Sequence, residues 1–197
     1  MINKLSFRLA EKLLTNGSIT ENERELYIYS FFILLTQTLY LALACFFGII
    51  FGCFGESLIF FTAFMFIRKY AGGYHAKTET RCEILSALSI AGCIWLIKMS
   101  KSHDLYTALL CTALICAVII LISAPLDTPE KPLSKKEFDR FKLITRIVLT
   151  VILTLITVSF YFNIRFLFVP CSVSLILEGI LLISGNIKKF IQTHADI

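Results

Sequence analysis

The chain has 197 residues, of which 57% are hydrophobic and 17% charged, and a formal net charge of +5. That apolar share exceeds what a soluble globular domain carries, so the solvent is lipid and the ordinary soluble enzyme and binding-module classes are excluded. The positive charge is no nucleic-acid footprint either, because the basic residues hug the ends of apolar runs, where the bias of cytoplasmic loops toward Lys and Arg already explains them.

In chain order, the first predicted element is a helix in the region 1–27. On it Ile2, Leu5, Leu9 and Leu13 share one face while Lys4, Arg8, Glu11 and Lys12 share the other, the pattern of a helix lying in the membrane interface. It serves either as an anchor or as a surface that meets an amphipathic peptide. The recurring charges and the missing small-residue cleavage site argue against a secretory signal. Apolar runs follow at 28–52, 105–123, 147–163 and 166–184, each near the ~20 residues that cross a bilayer. Two shorter runs, 57–67 and 84–97, belong to the length class of short spans or re-entrant segments. The expected fold is therefore all-α: one polytopic membrane domain over 1–197 with about six transmembrane helices, two of them short. With six crossings, Lys98, Lys101 and Arg165 fall outside, and every other Lys and Arg, including those from Arg68 to Arg81, falls in the cytoplasm with both termini. Gln37, between Thr36 and Thr38, reads as an interhelical hydrogen-bonding group. Glu56 and Glu178 lie near the ends of the apolar runs, and no catalytic role is assigned to them.

Six of the seven cysteines lie within or beside apolar runs, where a free thiol behaves as a small hydrophobe. There is no CxxC pair and no Cys/His cluster of zinc spacing, so no metal or other cofactor is expected. Cys82 differs. It sits in a polar, basic segment, 68–83, just before an apolar run, and the spacing of Thr80 and Glu83 suits a capping box. With Thr80 as N-cap, Cys82 occupies a first helical turn, where unpaired N–H groups, the helix dipole and Arg81 favour a negatively charged sulfur. Equivalent spacings at Thr20/Glu23 and Ser134/Glu137 show that the pattern marks helix starts in general. His75, seven residues before Cys82, would be about 10 Å away along a continuous helix. The Gly72-Gly73 pair and the polar run after His75 predict irregular backbone that folds it back toward the thiol. Spacing alone leaves a structural His75 and a catalytic one both open.

Downstream, Pro125, Pro129 and Pro132 exclude helix from the start of the 124–142 loop. That loop is either a rigid connector or a substrate-guiding flap. Arg68 and Lys69, and Lys131, Lys135 and Lys136, are candidates for holding a carboxylate of an anionic substrate, with solvated or lipid-headgroup contacts as the alternative.

The run from Arg68 through Lys69, Tyr70, Ala71, Gly72, Gly73, Tyr74 and His75 to Ala76, followed by Cys82, resembles the signature of the accessory gene regulator protein B family of bacterial quorum sensing. The run Pro125 to Leu133 is similar to a second signature of the same family. The resemblance covers essentially the whole chain. It implies a cysteine endopeptidase embedded in the bacterial cell membrane, acting at the cytoplasmic face on a small peptide precursor with an amphipathic segment. The enzyme would remove the precursor's C-terminal part and leave a cyclic thiolactone or lactone. Cys82 carries over as nucleophile and His75 as its general base, and a homodimer is implied. The rival class is a non-enzymatic transporter or assembly subunit, against which stands the scarcity of ionisable groups inside the spans.

Overall fold

The computed structural model describes residues 2–74, 79–102, 105–127 and 134–195. His75, His103, Pro129, Lys131 and Pro132 lie outside the described residues. Among those described there is no strand. The helices are α1 (Ile2–Thr15), α2 (Arg24–Phe51), α3 (Phe54–Ala71), α4 (Glu79–Ser102), α5 (Tyr106–Ser123), α6 (Lys135–Tyr161) and α7 (Arg165–Ala195), with one 3-10 turn at Glu21–Glu23. The all-helical membrane fold is thus the observed one. The chain forms two compact units, Met1–Leu43 and Ala44–Ile197.

In the first unit α1 ends at Gly17, whose positive φ of 70° lets Ser18 N–H reach back to Leu13 O at 2.9 Å. The 3-10 turn then begins with the expected box: the Thr20 N–H and hydroxyl donate to Glu23 Oε2 at 2.9 and 2.8 Å. Arg24 ties the two helices together, pairing with Glu11 and lying 5.1 Å over the Phe7 ring. The sheltered strip of α1 is Ser6 and Ala10, while Leu5 remains 46% exposed. Its protein-packed strip is thus made by two small residues, beside the expected Ile2, Leu5, Leu9 and Leu13 stripe.

In the second unit α7 is the central helix, packed against α3, α4, α5 and α6. Small residues permit this: a Cβ added at Gly179 would meet Cys116 Cβ at 2.7 Å and Sγ at 2.8 Å, so α5 and α7 touch there almost backbone to backbone. Pro170 is accommodated within α7, as neighbouring helices allow in lipid. The ends of the helices sort into two levels. Glu56 at the start of α3 pairs with Lys101 at the end of α4 at 2.5 Å, and Arg165 at the start of α7 lies 4.4 Å over the Tyr106 ring at the start of α5. At the opposite level the end of α3 meets α6 through Tyr70 and Phe141, with ring centroids 5.8 Å apart. Successive helices from α3 to α7 therefore run antiparallel.

Among the described residues five helices are long and apolar enough to cross a membrane: α2, α4, α5, α6 and α7. The run 84–97, expected to be a short span, lies inside the 24 residues of α4. Helix α3 has 18 residues, as α5 does, but they include Glu56, Arg68 and Lys69, which confine its apolar part. It nevertheless runs from one level to the other, about 27 Å at 1.5 Å per residue.

Candidate functional site

The Arg68 end of the second unit gathers the segments with unusual backbone. Helix α3 stops at Gly72, with φ 77° and ψ −149°, and Gly73 follows with φ 135°; both values belong to glycine and explain the Gly-Gly pair. The chain then runs extended along α7, where Tyr74 N–H donates to Leu181 O at 3.0 Å. Gly185 makes this approach possible, since a Cβ there would lie 3.0 Å from Tyr74 N and 3.1 Å from Gly73 C. Lys188, one turn on, places its Nζ 5.8 Å from the Tyr74 ring centroid.

The second loop docks on the first. Leu126 N–H donates to Ala71 O at 2.9 Å, and Leu126 O would lie 3.1 Å from a Cβ at Gly72. Pro125, preceded by a cis peptide bond, and Leu126 are both buried. The two sequence runs that carry the resemblance are thus in contact in space, over the same stretch of α7.

Arg68 holds this junction from beneath. Its Nη1 donates to Gly72 O and its Nη2 to Tyr74 O at 2.8 Å, and Nη1 lies 3.9 Å from Glu178 Oε1. The Arg68 side chain is 19% exposed and that of Glu178 is fully buried. Neither carboxylate oxygen of Glu178 has a hydrogen bond among the described residues. Arg68 thus spends both terminal nitrogens inside the protein, where an external carboxylate would have to compete with the two carbonyls.

Glu178 is the residue that sequence reasoning misplaced. The apolar run ends at 184, which put Glu178 near a span end, but α7 continues to Ala195 through a more polar stretch. Within the candidate span Arg165–Gln192, Glu178 is central. A buried ionisable residue at that depth was the available signal, and the error lay in equating the apolar run with the helix.

The other predicted residues fall as follows. Cys82 is a half-buried free thiol in the first turn of the described part of α4. Thr80 lies inside α4, whose described residues begin at Glu79, so it is not the N-cap that its spacing with Glu83 suggested. Residues three apart are also neighbours within a helix, which is why that spacing misleads. The α4 start lies at the Arg68 level, because its end, Lys101, pairs at the other. From Tyr74 to Glu79 the chain spans at most about 18 Å. Lys69 is exposed beside Tyr70, 5.5 Å from its ring centroid, and Lys135 and Lys136 are exposed in the first turn of α6. These cations share the Arg68 level, joined through the Tyr70 and Phe141 contact.

Two adjoining cavities of about 250 and 230 Å³ lie at the other level, sharing Tyr106 and Arg165. Aromatic and basic side chains at that level are what a membrane interface collects, and none of the predicted site residues lines them. Among the described residues no cluster of His, Cys, Asp and Glu is arranged to hold a metal ion.

A family model described as accessory gene regulator B matches residues 6–184. The chain is 27% identical over 172 residues to an AgrB-like protein of Clostridium perfringens, covering 83% of this chain and 80% of that one. It is 28% identical over 109 residues to accessory gene regulator protein B of Staphylococcus intermedius, covering 55% and 56% of the two chains. Similarity to FsrB of Enterococcus faecalis is 28% over 99 residues, 48% of this chain and 39% of that one. No solved structure matches.

Proposed function

Because the chain belongs to the accessory gene regulator B family, we propose that it is a membrane cysteine endopeptidase of quorum sensing, which cuts a small peptide precursor and promotes its cyclisation. The observation that carries this reading is the docking of its two signature segments, Ala71 O on Leu126 N–H, at the end where Cys82 opens α4. A connector in a transporter has no need for two loops to be fastened together.

In this reading His75 takes the Cys82 proton as the sulfur attacks the scissile carbonyl, and returns it to the leaving amine. The bond made is a thioester between Cys82 and the N-terminal precursor fragment; the bond broken is the peptide bond. The precursor's own Cys or Ser then displaces Cys82 and closes the ring. Free N–H groups in the first turns of α4 are the natural donors to the oxyanion. With Arg68 engaged internally, Lys69, Lys135 and Lys136, together with Lys131, are the cations that meet precursor carboxylates. The Arg68 level faces the cytoplasm, since Lys and Arg are concentrated there, and the enzyme works as a homodimer, as the family resemblance implies.

The test uses purified protein in lipid with a precursor whose cyclising residue is changed to Ala. The expected product is a stalled adduct whose mass equals the enzyme plus the N-terminal fragment, released by hydroxylamine and absent from Cys82→Ala. His75→Ala should lose cleavage while still inserting in the membrane. Cleavage by Cys82→Ala at anything near the normal rate would remove the thiol mechanism. Among the described residues the buried Glu178 speaks for a transporter, and no cleavage of the precursor by the folded wild-type protein would move weight to that class.

A further inference from the structure

Glu178 takes no part in the chemistry above, yet it is a fully buried carboxylate at the middle of the central span. An ionisable group at that depth is expected to have a specific task. Its one ion-pair partner among the described residues is Arg68. Arg68 in turn spends both terminal nitrogens on the carbonyls of Gly72 and Tyr74, the last described residues before His75. The planar guanidinium fork suits this, because it reaches two carbonyls at once while presenting charge to the carboxylate.

We propose that Glu178 is a positioning residue: acting through Arg68, it sets the path of the Gly72–Tyr74 segment from which His75 follows. Three observations make the link specific. The fork fits under the segment because Gly73 has no side chain, a Cβ there colliding with Arg68 Nη1. The segment is fixed on its other side by Leu181 O and by the closeness of Gly185, both on the helix that carries Glu178. Leu126 docks on Ala71 and Gly72, so among the described side chains it is the Arg68 fork that hydrogen-bonds the carbonyls on both sides of Gly73. Helix α7 thereby supports the segment at three successive levels: Glu178, Leu181 and Gly185. The catalytic side of this inference rests on the proposed endopeptidase reading; the structural side does not.

The experiment combines local hydrogen exchange with steady-state cleavage in reconstituted Glu178→Gln and Arg68→Lys enzymes. Arg68→Lys keeps a positive charge beside Glu178 but cannot bridge two carbonyls, so it remains informative should Glu178→Gln fail to fold. Exchange of the Tyr74 amide should rise by roughly tenfold or more in either variant, with α5 amides unchanged. The kcat for precursor should fall by roughly tenfold while KM stays within about threefold, the split expected when binding survives and geometry at the reacting atoms does not. Wild-type Tyr74 exchange in a folded variant would overturn the proposal, as would an equal rise throughout α5, which signals general loosening. Faster Tyr74 exchange with unchanged kcat would overturn its catalytic half. If Cys82→Ala proved fully active, the thiol mechanism would fall, and the exchange data would still decide whether Glu178 orders the segment.

Discussion

At the scale of single residues, the site depends on what is missing as much as on what is present. Gly185 and Gly92 both lie within helices, yet a Cβ at Gly92 meets nothing within 4 Å, whereas one at Gly185 presses on the Tyr74 and Gly73 backbone. Gly92→Ala is thus expected to be neutral or slightly stabilising, through helix propensity alone. Gly185→Ala should destabilise by ~1–3 kcal/mol, as overpacking does, and should slow cleavage because the displaced segment leads to His75. Thermal unfolding in micelles and cleavage of the precursor check both. Equal behaviour of the two variants would show that the approach of α7 to Tyr74 is slack. Cys82 drew attention in the sequence because a lone thiol in a polar segment stands out. Glu178 and Gly185 were not, since their significance lies in partners on α3 and in the Gly72–Tyr74 segment, contacts that no local pattern encodes.

At the scale of elements, helix starts were readable where a polar side chain meets the first free N–H groups. Ser134 Oγ accepts from Glu137 N–H at 3.3 Å, and Ser134 N–H donates to Glu137 Oε2 at 3.0 Å, the reciprocal arrangement expected from spacing. Ser134→Ala should therefore loosen the first turns of α6 by ~1 kcal/mol. Exchange of the α6 amides around Glu137 should quicken, with those beyond Thr145 unchanged; protection equal to wild type would mean that Tyr70 and Phe141 hold this end without the cap. The same spacing at Thr80 and Glu83 misled because it also occurs inside helices. Helix lengths were less legible than starts. Apolar runs measure what lipid requires, whereas α4 and α7 extend into polar sequence, where tertiary contacts and the antiparallel neighbour sustain them.

At the scale of the whole molecule, composition made the all-helical membrane fold evident, and charge placement foresaw two unequal ends. The levels set by the Glu56 and Lys101 pair and by the Tyr70 and Phe141 contact divide the cations of the second unit as the charge bias did. Lys98, Lys101 and Arg165 lie at one end. Lys69, Arg81, Lys135, Lys136, Arg140 and Lys142 lie at the other. Helix α3 is the decisive element, since it is the shortest apolar stretch and carries charges at both ends. If it crosses, Phe54 and Cys82 face opposite compartments; if α3 and α4 instead form a re-entrant hairpin, its tip is the Arg68 end, Phe54 stays outside and Cys82 is unreachable from the cytoplasm. Lipid also sets the energetics: the apolar part of α3 is short for hydrocarbon ~30 Å thick, so the membrane must thin locally or Lys69 must extend to the headgroups. Neither prevents crossing, because fractions of a kcal/mol per Å of mismatch are small beside the several kcal/mol of an unpaired ion. An impermeant maleimide is accordingly expected to label Cys82 only from the cytoplasmic side of oriented vesicles. Phe54→Cys and Phe162→Cys, both exposed at the Lys101 end, should be labelled only from the other. Failure of Cys82 to react from the cytoplasmic side, with Phe54→Cys and Phe162→Cys both labelled outside, would turn α3 and α4 into a hairpin. Reaction of Cys82 from outside would reverse the orientation and remove the cytoplasmic precursor as the substrate.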